Sequence, residues 1–257
     1  MEKKYFFFDI DGTLTDRKTG LIVPSALEAL NKLQEAGHFV AIATGRAYYK
    51  AKDFMKDCGL NNMVCCGGGG LVINNELVYN IPLDITHARA LVKEAKEYNV
   101  GYLLQLEDSN EVYSENDLFV RQVGERKEPT IYHYDENLDI DKIDTIYKIY
   151  LSCPLEKEKL FKELGPIGYI RFIPEYLICQ YDEKKQGILN MMERVNGDLK
   201  DVVVFGDDTN DMVMFDKRWT SIAMGNATEE LKKAASYVTD TNINDGIYKA
   251  CEKFGWF

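Results

Sequence analysis

Between residues 5 and 80, short apolar runs alternate with stretches in which apolar residues recur every three or four positions. "KYFFFDI" reads as a strand, and "VPSALEALNKLQEAG" reads as a helix with Leu27, Leu30 and Leu33 along one face and Gly37 as its stop. "HFVAIAT" is the next strand, "AYYKAKDFMKDCG" the next helix, closed by Gly59, and "MVCC" a short third strand. This βαβαβ rhythm predicts a parallel sheet with right-handed crossovers.

Near Pro82 the pattern changes. "ITHARALVKEAKEYN" reads as a helix, but "VGYLLQL", "EVYS", "TIYKIYLSC" and "GYIRFI" then follow as strands without a helix between each pair. Residues 84–179 therefore form an α+β unit with an antiparallel sheet, inserted into the parallel one. From "KKQGILNMMERVNG" the alternation resumes: helix, strand "DVVVFGD", helix, strand "TSIAM", helix, strand "SYVT" and a last helix ending near Phe254.

The length of 257 residues allows one large domain or two smaller ones, and 46% hydrophobic with 28% charged residues excludes a disordered chain. A net charge of −11 with no basic patch argues against nucleic acid and anionic membranes as partners. The apolar run of "MEKKYFFFDI" stops at Asp9, too early for a signal peptide or a membrane span, so a cytoplasmic protein is expected, monomer or homodimer. The six cysteines show no CxxC spacing and read as reduced, mostly buried thiols.

Candidate chemistry gathers at strand ends, because ligands of an open parallel sheet collect outside its carboxyl edge. Asp9 and Asp11 follow the first strand, "TGR" (Thr44, Gly45, Arg46) the second, and "GDDTND" a later one. Two carboxylates at roughly 4 Å and an effective dielectric near 20 repel by about 4 kcal/mol, so a cation is expected among them. An EF-hand does not fit, since counting from Asp9 places Leu14 at loop position six and Gly20 at twelve. Hard oxygen ligands without a nearby histidine or thiol suit Mg²⁺. "TGR" offers a hydroxyl, an unhindered amide and a guanidinium to phosphate oxygens, and Lys184 or Lys185 can add a point charge.

"DIDGTLT", "TGR", "KKQGI", "GDDTNDMVMF" and "AMGNA", in this order, resemble the motif set of the haloacid dehalogenase superfamily, most closely its Cof-type phosphatases. The resemblance implies an α/β fold with a Rossmann-like parallel-sheet core, helices on both faces, over residues 1–83 and 180–257, and an inserted class IIB α+β cap at 84–179 that sets substrate specificity. It implies that Asp9 is the nucleophile forming an aspartyl phosphate and that Asp11 is the acid and base. Thr44, with Gly45, Arg46 and Asn210, would bind the phosphoryl oxygens, and Lys184, matching K-x-x-G-I, would neutralise charge. Mg²⁺ would be held by Asp9, the backbone carbonyl of Asp11, Asp207 and Asp211. Crowding by Asp9 and Asp207 should let Asp11 carry a proton at neutral pH.

The implied activity is Mg²⁺-dependent hydrolysis of a small phosphorylated metabolite, foremost a sugar phosphate, with pyridoxal phosphate or a flavin mononucleotide as further family-type substrates. The alternatives are a phosphomutase or phosphotransferase using the same aspartyl phosphate, and a non-catalytic binder of phosphorylated metabolites. "CCGGGG" reads as a flexible turn, since the strand-like "LVIN" follows it, and it departs from the Asn-Gly-Ala turn usual in the family. Asn226 and Glu229 have the spacing of a capping box for the next helix. In the insert, Arg121, His133 and Arg171 read as ordinary surface or half-buried residues.

Overall fold

The structure, a computed structural model, describes residues 2–171 and 173–257. In chain order the elements are β1 (Tyr5–Phe8), α1 (Pro24–Glu35), β2 (Phe39–Ala43), α2 (Tyr48–Asp57), β3 (Met63–Cys65), β4 (Gly70–Ile73) and β5 (Glu76–Asn80). Next come α3 (Ile85–Glu97), β6 (Tyr102–Gln105), β7 (Glu111–Ser114), α4 (Leu118–Val123), β8 (Ile131–Tyr134), β9 (Lys148–Leu151), α5 (Leu164–Ile167) and β10 (Leu177–Cys179). The chain finishes with α6 (Lys184–Arg194), β11 (Val202–Gly206), β12 (Thr220–Ala223), α7 (Glu229–Ala234), β13 (Tyr237–Val238) and α8 (Gly246–Lys253). Two compact units result: one runs to Asn80 and resumes over Glu183–Phe257, and the other is Ile81–Asp182.

In the first unit the described strands form one sheet in the order β13-β12-β11-β1-β2-β3-β4-β5. Pairing is parallel from β13 to β3, and β4 and β5 add an antiparallel hairpin at the edge. The four aromatic residues of β1 explain its central place, since successive side chains point to opposite faces and both faces are covered. Phe6 and Phe8 pack with Leu30 and Leu33 of α1, Met55 of α2 and Ile247 of α8, while Tyr5 and Phe7 pack with Ile188, Met191 and Met192 of α6. The parallel core with helices on both faces is therefore present.

Three local expectations are corrected. The helix expected after "FGD" is a 3-10 turn, Thr209–Met214, opened by a capping box in which the Asp211 carboxylate folds back to accept the amides of Asp207 and Asp208. The "CCGGGG" turn, expected to be flexible, is buried along residues 65–70 and contains a 3-10 turn at Cys66–Gly68. The helix after "AMGNA" is capped by the Thr228 hydroxyl, which accepts from Leu231, leaving Asn226 for another task. All six cysteines are free and buried.

The second unit, Ile81–Asp182, encloses residues 84–179. Its sheet runs β10-β9-β6-β7-β8. One face packs Leu91, Val92 and Ala95 of α3 against Leu104, Ile149 and Leu177, and the other carries Leu103, Val112, Phe119 and Tyr150. The sheet departs from a purely antiparallel one, since β7 and β8 pair in parallel. "GYIRFI" is not a strand: Ile170 makes an isolated bridge to Ile178, Arg171 turns to Glu158 and the Cys153 carbonyl, and Phe172 lies outside the described residues. Arg121 pairs with Asp117 and His133 with Glu111 within the same unit. Among the described residues, no helix is long and apolar enough to cross a membrane.

Candidate active site

The parallel register delivers three strand ends to one edge. Phe8 of β1 lies opposite Phe205 of β11 on one side and Ile42 of β2 on the other, so Asp9, Asp207 and Thr44 all emerge together. The Asp9 amide continues the ladder by donating to the Phe205 carbonyl at 3.0 Å. Asp9, Asp207 and Asp211 are buried, and each offers a carboxylate oxygen within 4.8 Å of the others.

Lys184, fully buried at the start of α6, stands among these acids. Its Nζ donates to Asp9 Oδ1 at 2.8 Å and to Asp211 Oδ1 at 2.7 Å. Asp211 is held in turn through Oδ2, which accepts the backbone amides of Asp207 (2.9 Å) and Asp208 (3.2 Å). Lys185, by contrast, is 41% exposed and pairs with Asp216 at 3.7 Å. The two adjacent lysines, left open by the sequence, are thus separated by position: Lys184 reaches the carboxylates, and Lys185 faces outward.

The buried "CCGGGG" turn positions that helix. The Glu183 amide donates to the Gly67 carbonyl at 2.7 Å. A Cβ on Gly68, whose φ is +102°, would lie 2.3 Å from the Glu183 carbonyl oxygen, and one on Gly187 would lie 2.4 Å from Val64 Cγ1 and 2.9 Å from Gly68 Cα. Only glycine lets turn and helix approach this closely, and the approach sets where Lys184 begins.

Burial dominates the electrostatics. With the charge of Asp211 behind it, burial raises the Asp9 carboxyl to about 7 in spite of Lys184, and it raises Asp207 to about 6 although Arg17 pulls the other way. Burial pulls the Lys184 ammonium down, but Asp211 and Asp9 together outweigh it and hold it above its ordinary value. Three hard carboxylates with no thiol or imidazole in the group form a donor set suited to Mg²⁺, and a divalent cation would relieve the repulsion that lifts Asp9 and Asp207.

The remaining candidates lie around this centre. Asp11 is not in the carboxylate group, which corrects the expectation that Asp9 and Asp207 crowd it: its side chain is 59% exposed and lies in the fork of Arg46, with Nε at 2.9 Å from Oδ2 and the terminal nitrogen at 2.5 Å from Oδ1. Thr44 is buried, its hydroxyl accepting the Arg46 amide at 3.1 Å, while Gly45 is half-buried between them. Asn210 sits half-buried in the turn after Asp207.

Three residues absent from the sequence-derived set touch the centre. The Thr13 hydroxyl donates to Asp207 Oδ1 at 3.1 Å, and Arg17 reaches Asp207 Oδ2 at 2.8 Å and Asp208 Oδ2 at 2.7 Å. The Asn226 amide donates to the Gly12 carbonyl at 2.9 Å and to Asp207 Oδ2 at 3.3 Å, while its Oδ1 accepts from the Asn242 amide. Thr13 and Asn226 lie inside quoted motifs, which was a usable signal. Arg17 lies beyond the first motif, and nothing local marked it.

A family model described as haloacid dehalogenase-like hydrolase matches residues 6–251. The Bacillus subtilis (strain 168) protein YkrA, named provisionally as a phosphatase, is 30% identical over 258 residues, spanning 99% of this chain and 99% of its own. Among solved structures, a Geobacillus kaustophilus HTA426 protein superposes with a TM-score of 0.80 at 28% identity over 100% of both chains. BT4131, described as a subclass IIB sugar phosphatase, superposes with a TM-score of 0.77 at 25% identity over 99% of this chain and 100% of its own.

Proposed function

The chain belongs to the haloacid dehalogenase-like hydrolases, and from that premise we propose that it is a Mg²⁺-dependent phosphatase of small phosphorylated metabolites, sugar phosphates first, acting through an aspartyl phosphate on Asp9. The observation that carries this reading is the buried lysine: Lys184 bridges Asp9 and Asp211 beside Asp207, an arrangement that serves an incoming phosphoryl group and costs stability otherwise. The similarity to a sugar phosphatase supports the choice of substrate class.

In this mechanism an Asp9 carboxylate oxygen attacks phosphorus, the bond from phosphorus to the ester oxygen breaks, and Asp11 gives its proton to the departing alcohol. Water then attacks the phosphorus of the acyl phosphate, Asp11 takes a proton from that water, and phosphate leaves with the Asp9 carboxylate restored. Thr44, the Gly45 amide, Arg46 and Asn210 orient the phosphoryl oxygens, and Lys184 offsets their charge. Arg46 first holds Asp11, so a phosphate that draws Arg46 away also frees the acid for its proton transfer. Asp9, Asp207, Asp211 and the Asp11 backbone carbonyl would hold Mg²⁺, which supplies positive charge against the repulsion between carboxylate and phosphate dianion. The insert, 84–179, is assigned to substrate selection.

The test is a panel of phosphate esters assayed with Mg²⁺ and with a chelator. Inorganic phosphate released from sugar phosphates only with Mg²⁺ is the expected result. Isomerised sugar phosphate without free phosphate would reassign the chain to phosphoryl transfer, and binding of the esters without turnover would reassign it to a binding protein.

A further inference from the structure

Arg17 places a positive charge inside the acidic cluster that the mechanism above does not use. Its guanidinium reaches in from the surface: the side chain is 53% exposed, whereas the Asp207 side chain it contacts is 2% exposed. One terminal nitrogen lies 2.8 Å from Asp207 Oδ2 and 2.7 Å from Asp208 Oδ2. Both oxygens of Asp207 are thereby engaged, Oδ1 by the Thr13 hydroxyl and Oδ2 by Arg17 and the Asn226 amide. Asp207, Asp208 and Arg17 also line a cleft of ≈ 240 Å³ together with Asp16, Asn226 and Thr228.

We propose that Arg17 is a built-in counter-ion that competes with the divalent cation for Asp207, neutralising this buried carboxylate on its own and turning to Asp208 and solvent when the cation takes Asp207. The inference rests on the phosphatase reading, which calls for Mg²⁺ at Asp207. A bound Mg²⁺ stands about 2 Å from its ligand oxygen, so cation and guanidinium would share one carboxylate and repel. The arginine can yield, because Asp208 holds the same nitrogen and half of the side chain is already in water. Binding of the cation and release of Arg17 from Asp207 are then reciprocal, and Arg17 keeps Mg²⁺ affinity lower than the carboxylates alone would set it.

If Arg17 instead braced Asp207 as a strut, removing it would weaken Mg²⁺ binding, so the sign of the change decides. Calorimetric titration with Mg²⁺ alone, on the full chain at pH 7.5, compares wild type with Arg17→Met, Arg17→Gln and Arg17→Lys. Loss of the charge should tighten binding about tenfold, equivalent to about 1.4 kcal/mol, in both neutral variants, discounted already for solvent screening of an exposed group. Arg17→Lys, which keeps the charge, should stay within about threefold of wild type. The metal-free thermal midpoint at pH 8 should fall in the neutral variants and recover with Mg²⁺, since Asp207 has lost its counter-ion. Unchanged or weaker Mg²⁺ binding in both neutral variants would overturn the proposal while leaving the phosphatase reading intact. A wild-type chain that binds no Mg²⁺ would remove the metal from that reading and this inference with it.

Discussion

Replacing Asp9 by asparagine should raise the stability of the metal-free protein relative to wild type progressively as pH increases. The Asp9 carboxyl is raised from 3.8 to about 7 by burial and by Asp211. Folded protein therefore binds the Asp9 proton more tightly than unfolded chain does, so its contribution to stability is complete below the unfolded value and is lost as pH rises through the folded one. At 1.36 kcal/mol for each tenfold change in proton affinity, the whole loss is about 4 kcal/mol, of which about 3 kcal/mol falls between pH 5 and pH 8. Asparagine keeps the shape and an oxygen for Lys184 but cannot ionise, so it escapes this loss. Urea unfolding in the presence of a chelator is the assay, followed by tryptophan fluorescence, because Trp219 and Trp256 are both buried in the unit that carries the site. Relative to wild type, Asp9→Asn should gain about 3 kcal/mol between pH 5 and pH 8, or roughly 6–12 °C in the thermal midpoint. The same variant should release no phosphate. A stability difference that stays constant from pH 5 to pH 8 would refute the reasoning, since it would mean that Asp9 ionises in the folded chain as easily as in the unfolded one.

Lys184→Met should cost about 3–5 kcal/mol and abolish phosphate release, because Asp9 and Asp211 would face each other buried and unpaired, whereas Lys185→Met, on an exposed side chain, should stay within about 0.5 kcal/mol of wild type in the same unfolding assay. Gly68→Ala should destabilise by about 1–3 kcal/mol and lower kcat, since the added Cβ would strike the Glu183 carbonyl at a positive φ and push α6 away, an effect read by unfolding and by phosphate-release kinetics together. Mg²⁺ should raise the thermal midpoint more at pH 8 than at pH 5, because Asp207, raised to about 6, must lose its proton to bind the ion; an equal rise at both values would count against Asp207 as a ligand.

The alternation of strands and helices was legible because it is a matter of local period: β1 had to be buried on both faces once it carried four aromatic residues, and α1 showed its stripe and its stop. The carboxylate motifs were legible for a related reason, since a parallel sheet sends its strand ends to one edge. The 3-10 turn after Asp207 was not legible, because the Asp208 and Asp211 capping box at its start opens an α-helix and a 3-10 turn alike. Asn226 looked like a helix cap by spacing, but the oxygen a cap would use accepts instead from the Asn242 amide of a distant segment, while its Nδ2 donates to the Gly12 carbonyl and to Asp207.

By itself the sequence determined which residues could carry charge, hydroxyl and turn chemistry, and in what order along a two-unit chain. The choice between Lys184 and Lys185 belonged to the tertiary structure: the two side chains point about 100° apart around a helix, and only the docking of α6 on the glycine turn decides which one is buried with Asp9 and Asp211. The same holds for Arg17, whose charge reaches Asp207 across 190 residues of chain because two loops meet at one sheet edge, a proximity that local sequence patterns do not encode.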